Sequence, residues 1–457
     1  MSAMFETVRR RARLALTIAV MALAPAAGRA ETLADTLILA YRNSNLLDQN
    51  QAVLRAADED AAAALASLRP VLNFVAQSGY NKSAQLDGFA NSATLSAQVT
   101  ILDFGRGRLG LDIARESVLA TREALLSVEQ DVLLQAVIAF MDVKAAEQNV
   151  EINRNSVRVI GEALRAAQDR FDLGEVTRTD VALAESRLAA ARAGYAAAQG
   201  QLAVAREAYR AATGVYPGAL SGAPRSPALP ASLEEAKAIA QRNHPLIRQA
   251  ERQVTIAELS VKLAEAQRMP TIDLGASVSS DLENDPTGQV GLSLNQTIYA
   301  GGAIASAARK AIAQRDAARS GLLQTSVQIA QQVGEAWANI AVTRAQLEAI
   351  DRQIEAALAA YEGTKEEAAL GARTTLDVLN AEQDLLDARA SRITTEAGLQ
   401  KGIYSLLSAM GLLTVDHLGL GIPTYDPAAY YNAVKDAPAT SAQGDSLDRV
   451  LRAIGKD

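Results

Sequence analysis

The sequence predicts an α+β membrane protein, internally duplicated, in which long coiled-coil-like helices build an α-helical barrel and four strands per chain join those of other copies in one transmembrane β-barrel. Three observations predict it. The chain repeats itself, each repeat carries two alternating segments of strand length, and each then continues without proline, from Gly105 to Phe171 and from Ala303 to Leu370.

The repeat is plainest where ALGARTTLDVLNAE (Ala369 to Glu382) copies DLGEVTRTDVALAE (Asp172 to Glu185) at an offset of 197. At that offset Ser96, Thr100, Gly105, Arg122 and Gly214 also match Ser293, Thr297, Gly302, Arg319 and Gly411. Upstream the offset becomes 200, pairing Leu33, Arg42, Asn43 and Pro70 with Leu233, Arg242, Asn243 and Pro270. The first repeat therefore spans 31–221: a helix, a β-hairpin over 71–102, a long helix, a helical hairpin turn at 172–180 and a returning helix. GAPRSPALP, within 222–230, is a linker. The second repeat spans 231–414, with its β-hairpin at 271–299 and its helical turn at 369–377, and a partly flexible tail occupies 415–457.

The strands show themselves by period two. Leu95, Ala97, Val99 and Ile101 alternate with Thr94, Ser96, Gln98 and Thr100, and Val290, Leu292 and Leu294 alternate with Gly291, Ser293 and Asn295. Leu72, Phe74 and Ala76, and again Ile272, Leu274 and Ala276, do the same before each loop tip. Runs of about ten residues suit a tilted membrane strand, and Phe74, Tyr80, Phe89, Phe104 and Tyr299 stand towards their ends, where an aromatic girdle belongs. The proline-free segments carry Leu119, Leu126, Leu133, Phe140, Val150, Val157 and Leu164 at spacings near seven. Helices of that length run roughly 100 Å and cannot bury an apolar stripe inside one compact domain, so they imply a coiled-coil-like assembly.

Composition narrows the function. Hydrophobic residues make up 49% but aromatics only 4%, and alanine-rich helices pack closely side by side. Without cysteine, thiolate metal sites and a cysteine nucleophile are excluded, and only His244 and His417 remain for histidine chemistry. No phosphate loop, nucleophile elbow or metal spacing occurs, so no enzyme, cofactor or metal is expected. Residues 1–30 read as a signal peptide: arginines at 9, 10, 11 and 13, the apolar run LALTIAVMALAPA, then Gly28 and Ala30 before the cut. A retained membrane anchor is the alternative. Removing the segment takes five arginines and one glutamate, moving the formal charge from −7 to −11, which speaks against nucleic acid. No later stretch is expected to reach the apolar length of a membrane-spanning helix.

The repeated motif is first of all a tight turn between helices. Gly174 and Gly371 suit a left-handed C′ position, Leu173 and Leu370 close the apolar seam, Thr177 and Thr374 are N-caps, and Asp180 and Asp377 complete a T-x-x-D capping box. Turns of this kind present a tip, where partners dock. Arg373 has no evident local role there and could bridge to a neighbouring hairpin at Thr179 or Asp180. Four strands are too few for a lumen and leave two open edges, which hydrocarbon does not tolerate, so several copies must pool their strands.

With these features the chain resembles the TolC-type outer-membrane channel family over essentially its whole mature length. LGEVTRTDV, LGARTTLDVLNAEQDLLDAR and the proline before each first strand carry the resemblance. The resemblance implies a homotrimer with a twelve-stranded barrel in the outer-membrane lipid of a Gram-negative bacterium and a helical tunnel across the periplasm. It also implies docking to a periplasmic adaptor and an inner-membrane ABC or proton-driven transporter, and a passive exit duct for type I secretion or drug efflux. Leu173, Gly174, Thr177, Leu370, Gly371 and Thr374 then form the docking tip, Thr179, Asp180 and Arg373 a gate link, and Asp377 and Asn380 the entrance constriction. Two positions depart from the family pattern: Asn380 replaces a second aspartate and Ala368 replaces a linking tyrosine. The tail, LGLGIPTYDPAAYYNAVKD and beyond, looks like that of members serving type I secretion. A periplasmic coiled-coil adaptor or scaffold is the alternative, though it leaves the four alternating strands unexplained.

Overall fold

In a computed structural model the chain is described over residues 30–82, 87–222, 227–281, 286–437 and 449. The signal-peptide reading rests on residues outside that set, as do parts of the linker, of the two strand loops and of the tail. The elements are α1 (Leu33–Asn43), α2 (Asn45–Ala66), β1 (Val71–Lys82), β2 (Asp87–Leu102), α3 (Arg106–Asp172) and α4 (Arg178–Thr213). The second repeat follows with α5 (Leu233–Asn243), α6 (Pro245–Ala266), β3 (Thr271–Asp281), β4 (Thr287–Asn295), α7 (Ala303–Ala369) and α8 (Thr375–Ala409), and the tail adds α9 (Ala429–Val434). Both α3 and α7 are 67 residues long and begin 197 residues apart, the offset of the repeat.

The strands form one antiparallel sheet in the order β1-β2-β3-β4. Its register sorts side chains by polarity across all four strands. Leu72, Ala97, Ala276 and Val290 align, as do Phe74, Leu95 and Val278, and Val99, Leu274 and Leu292. The other face aligns Asn73, Ser96, Ser277 and Gln289, and Thr100 Oγ1 donates to Asp273 Oδ1 at 2.6 Å. Both faces are open in the single chain, the apolar one included: Phe74 is 70% and Val290 75% accessible, with Leu72, Leu292 and Leu294 similarly open. A sheet in water turns that face inward; here it suits hydrocarbon.

One strand expectation needs correction. The second hairpin ends at Asn295 rather than at 299, because its partner strand starts at Thr271, which pairs with Asn295 and leaves residues 296–299 nothing to bond. A register shift between Thr100 and Leu102 places Leu102 opposite Ile272. The bulge re-aims the strand end by one residue.

The helices divide into two compact units. One comprises α1, Leu133–Ala228 and Ile340–Ile403; the other comprises Asn45–Val132, Leu229–Asn339 and the residues from Tyr404 on. In the first unit α1 packs on α4, and Thr36 Oγ1 and the Tyr209 hydroxyl lie 3.0 Å apart in a buried contact, with Tyr209 also donating to the Glu31 carboxylate. Leu133 and Phe140 of the predicted seam are wholly buried, whereas Leu126, in the second unit, is 37% exposed. One window of α3 does reach the length and hydropathy of a membrane span, contrary to the sequence expectation. More than half of it is buried in protein, as a core helix requires.

In the second unit Gly411 ends α8 at φ +74, and a Cβ there would meet His244 Cα at 2.7 Å and the Asn243 carbonyl oxygen at 2.9 Å. Only glycine allows that approach. His244 itself is buried, its Nδ1 accepting the Leu246 amide at 3.2 Å, and burial lowers its pKa to about 4. The tail lies along α2 and α3: the Val415 amide donates to Glu129 Oε1 at 2.8 Å, Tyr430 Oη to Glu59 Oε1 at 2.7 Å, and Arg69 Nη1 to the Ala437 carbonyl at 2.7 Å. Arg122 sits 5.4 Å over the Tyr431 ring.

Beneath the tail Asp58 is fully buried, and neither carboxylate oxygen has a hydrogen-bond partner among the described residues. Desolvation raises its pKa from 3.8 to about 6, against a smaller opposing pull from Arg122. A raised folded value favours the neutral acid, so its stabilisation is complete below about pH 4 and is lost as the pH climbs through about 6. Asp58→Asn should therefore stabilise this region by of order 2 kcal/mol near pH 8 and by little near pH 4. Thermal unfolding followed by circular dichroism at both pH values checks this; a shift of equal size at each would sink it.

Candidate functional site

The two helical turns are built alike. Gly174 and Gly371 adopt φ +77 and +78, and at each the chain turns back through a paired bond pattern. The Glu175 amide reaches the Arg170 carbonyl at 2.9 Å and the Gly174 amide the Phe171 carbonyl at 2.9 Å. Ala372 reaches Glu367 at 2.9 Å and Gly371 reaches Ala368 at 3.2 Å in the same way. This is the Schellman arrangement, which satisfies carbonyls that the helix end leaves free. Three residues on, the amide and hydroxyl of Thr177 donate to Asp180 Oδ2 at 2.9 and 2.8 Å, while Thr177 Oγ1 accepts the Asp180 amide. Thr374 and Asp377 repeat the box at 3.0 and 2.8 Å.

The boxes also set the charge. The Thr177 hydroxyl, then its amide, hold the Asp180 carboxyl below the usual range, and the Thr374 amide, then its hydroxyl, do the same for Asp377. Both stay ionised in mild acid. Leu173 and Leu370 project from the turns at 76% and 86% exposure, as bare apolar tips.

Arg373 does have a local partner: its Nε donates to Glu367 Oε2 at 2.9 Å, across its own turn. Within the chain it is not brought to Thr179 or Asp180, and the Asp180 carboxylate is committed to Thr177. Close to the turns the structure instead joins the hairpins through contacts that sequence reasoning missed. Leu379 is buried with Ile160 and Ala184, seating α8 on α3 and α4. Beside it, Arg187 Nη2 of α4 donates to Asn380 Oδ1 of α8 at 2.8 Å. Ala368 is buried at the end of α7.

Glu382 was missed as well, although the repeated Ala-Glu at the end of the motif signalled it. Its counterpart Glu185 is exposed, whereas Glu382 is partly buried near Arg158 of α3 and Tyr361 and Lys365 of α7. Those cations are held elsewhere: Arg158 pairs with Glu162 at 2.9 Å, and Lys365 lies 6.0 Å over the Tyr361 ring. From α4, Arg187 reaches Asn380 instead. Burial therefore dominates and raises Glu382 to about 7.

A sequence profile of the outer membrane efflux protein family matches residues 37–215 and 238–412, one stretch in each repeat. The chain belongs to that family. The efflux-family chain is 33% identical over 419 residues to the outer membrane efflux protein BepC of Brucella suis biovar 1 (strain 1330), covering 90% of this chain and 92% of the relative. It is 26% identical over 338 residues to the alkaline protease secretion protein AprF of Pseudomonas aeruginosa, covering 70% and 68%. Among solved structures, CusC superposes with a TM-score of 0.76 at 21% identity, covering 83% of this chain and 92% of that one, a likeness of fold. This efflux-family protein is an outer-membrane channel of a Gram-negative bacterium, and its relatives are channels rather than adaptors or enzymes.

The turn should respond to pH. Because Glu382 binds its proton more tightly when packed, the seating of α8 is firmest below about pH 4.5 and loosens as the pH rises through about 7. Hydrogen exchange over 370–385 should quicken on going from about pH 6 to about pH 8, beyond the intrinsic rate change, and Glu382→Gln should remove that excess. An excess that persists in the glutamine variant would count against it.

Proposed function

We propose that three copies of the chain form one passive export duct, with a twelve-stranded barrel in the outer membrane and a helical tunnel leading to it. The observation that carries this is the sheet: four strands, two open edges and an exposed apolar face. An open edge in hydrocarbon leaves unpaired backbone groups, each costing several kcal/mol, and only closure with other copies removes them. Leu323, Val327 and Val342 of α7, exposed in the single chain, supply an apolar surface for the neighbouring copy to cover.

The hairpin turns are the periplasmic mouth. Leu173 and Leu370, with Gly174, Thr177, Gly371 and Thr374, present the docking surface for a periplasmic adaptor, and through it for an inner-membrane ABC or proton-driven transporter. Asp377 and Asn380 line the constriction, and Thr179, Asp180 and Arg373 lie where neighbouring hairpins link across the closed entrance. Likeness to proteins named for efflux and for alkaline protease secretion supports an export role for secreted protein or small-molecule cargo. Energy comes from the partners.

Purified protein in a planar bilayer should give discrete, long-lived current steps, and native mass spectrometry should give a three-chain mass. Folded protein that fails to insert would refute the duct. Replacing both tip leucines (Leu173→Glu with Leu370→Glu) should abolish export in cells while the trimer still reaches the outer membrane; export at the parental level would remove the tips from the docking surface.

A further inference from the structure

Resting on the reading of the turns as the entrance, we propose that Arg187 sets the charge there: it clasps Asn380 across the two hairpins of one protomer and places a fixed cation one helical turn from Asp377. The bond runs between α4 and α8, residues 193 apart in sequence, at 2.8 Å. Its register is held from behind, because Leu379 is buried between Ile160 and Ala184 and so turns Asn380 towards α4.

The partner of Arg187 is neutral. Arg154, Arg158, Arg373 and Arg392, on the same hairpins, pair instead with carboxylates: Glu151, Glu162 and Glu367 at 2.7, 2.9 and 2.9 Å, and for Arg392 Asp351 and Glu396 at 2.7 and 2.9 Å. Among the described residues no carboxylate comes within ion-pair distance of Arg187, and an amide oxygen does not discharge it. A guanidinium stays protonated at every physiological pH. Three copies around an axis therefore bring three positive charges to the level of Asn380, within one helical turn of the negative ones of Asp377 and Asp384.

The pair is also one-sided with respect to the duplication. The offset of 197 carries Arg187 onto Asp384 and Asn380 onto Leu183. Exchanging the two repeats would set an aspartate against a leucine, which cannot bond, so each chain makes the clasp once. An acidic side chain at 380 would not act as a free negative charge either. It would receive the guanidinium in a shorter, charge-assisted bond, relieving its repulsion from Asp377 three residues away on the same face.

The test is the reversal potential and resting conductance of the full-length channel in a bilayer under a potassium chloride gradient, for four variants. Both clasp residues reach solvent, so the substitutions leave the core intact. Arg187→Gln should raise cation over anion permeability by at least about threefold and raise the resting conductance. Asn380→Asp alone should lower the resting conductance and give less than half the gain in cation preference shown by Asn380→Asp combined with Arg187→Gln. A single Asn380→Asp as cation-selective as the double variant would overturn the clasp. Asp377→Asn separates this from the underlying reading: if it lowers cation preference while Arg187→Gln changes nothing, the clasp alone fails. If none of the four moves the reversal potential, the turns do not line the entrance and both ideas fall.

Discussion

The demand of backbone groups for hydrogen-bond partners governs this chain. A sheet that leaves an apolar face of Leu72, Phe74, Val290 and Leu292 open suits hydrocarbon, and hydrocarbon offers nothing to the outer edges of β1 and β4. In the proposed duct, closure by other copies answers that demand, and the same copies cover Leu323 and Val327, which the single chain leaves bare. Alanine suits such a design, since small side chains let long helices approach one another over many turns.

Duplication makes the assembly economical in sequence but not symmetric in detail. Both turns use the same glycine, the same capping box and the same exposed leucine, because each must end one helix and begin another in a few residues. The residues behind the turns have diverged. Glu382 is partly buried beside Tyr361 where Glu185 is exposed, and Arg187 faces Asn380 where the exchanged pair would be Asp384 and Leu183. The common skeleton builds the turn, and the differences determine how one hairpin grips the other.

A comparable economy holds the tail. Glu129 and Glu59 bind it through one polar contact each and Arg69 through two, over a buried Asp58 that no hydrogen bond satisfies among the described residues. A carboxyl group in that position is tolerated as the neutral acid, so this packing is more sensitive to pH than an apolar contact would be.

The sequence by itself determined the repeat, the alternation of the strands, the long helices and the capped turns. Each rests on local periodicity or on a few neighbouring residues, and period and cap chemistry are local physics. The end of β4 at Asn295 was not legible, because a strand stops where its partner stops. Nor was the shift that sets Leu102 opposite Ile272, or the pairing of Arg373 with Glu367. Only the tertiary structure decided that Arg187 meets Asn380 and that Glu382, rather than Glu185, is partly buried. Those contacts join residues far apart in the chain, and their identity depends on how two helices are rotated against each other, which no local pattern records.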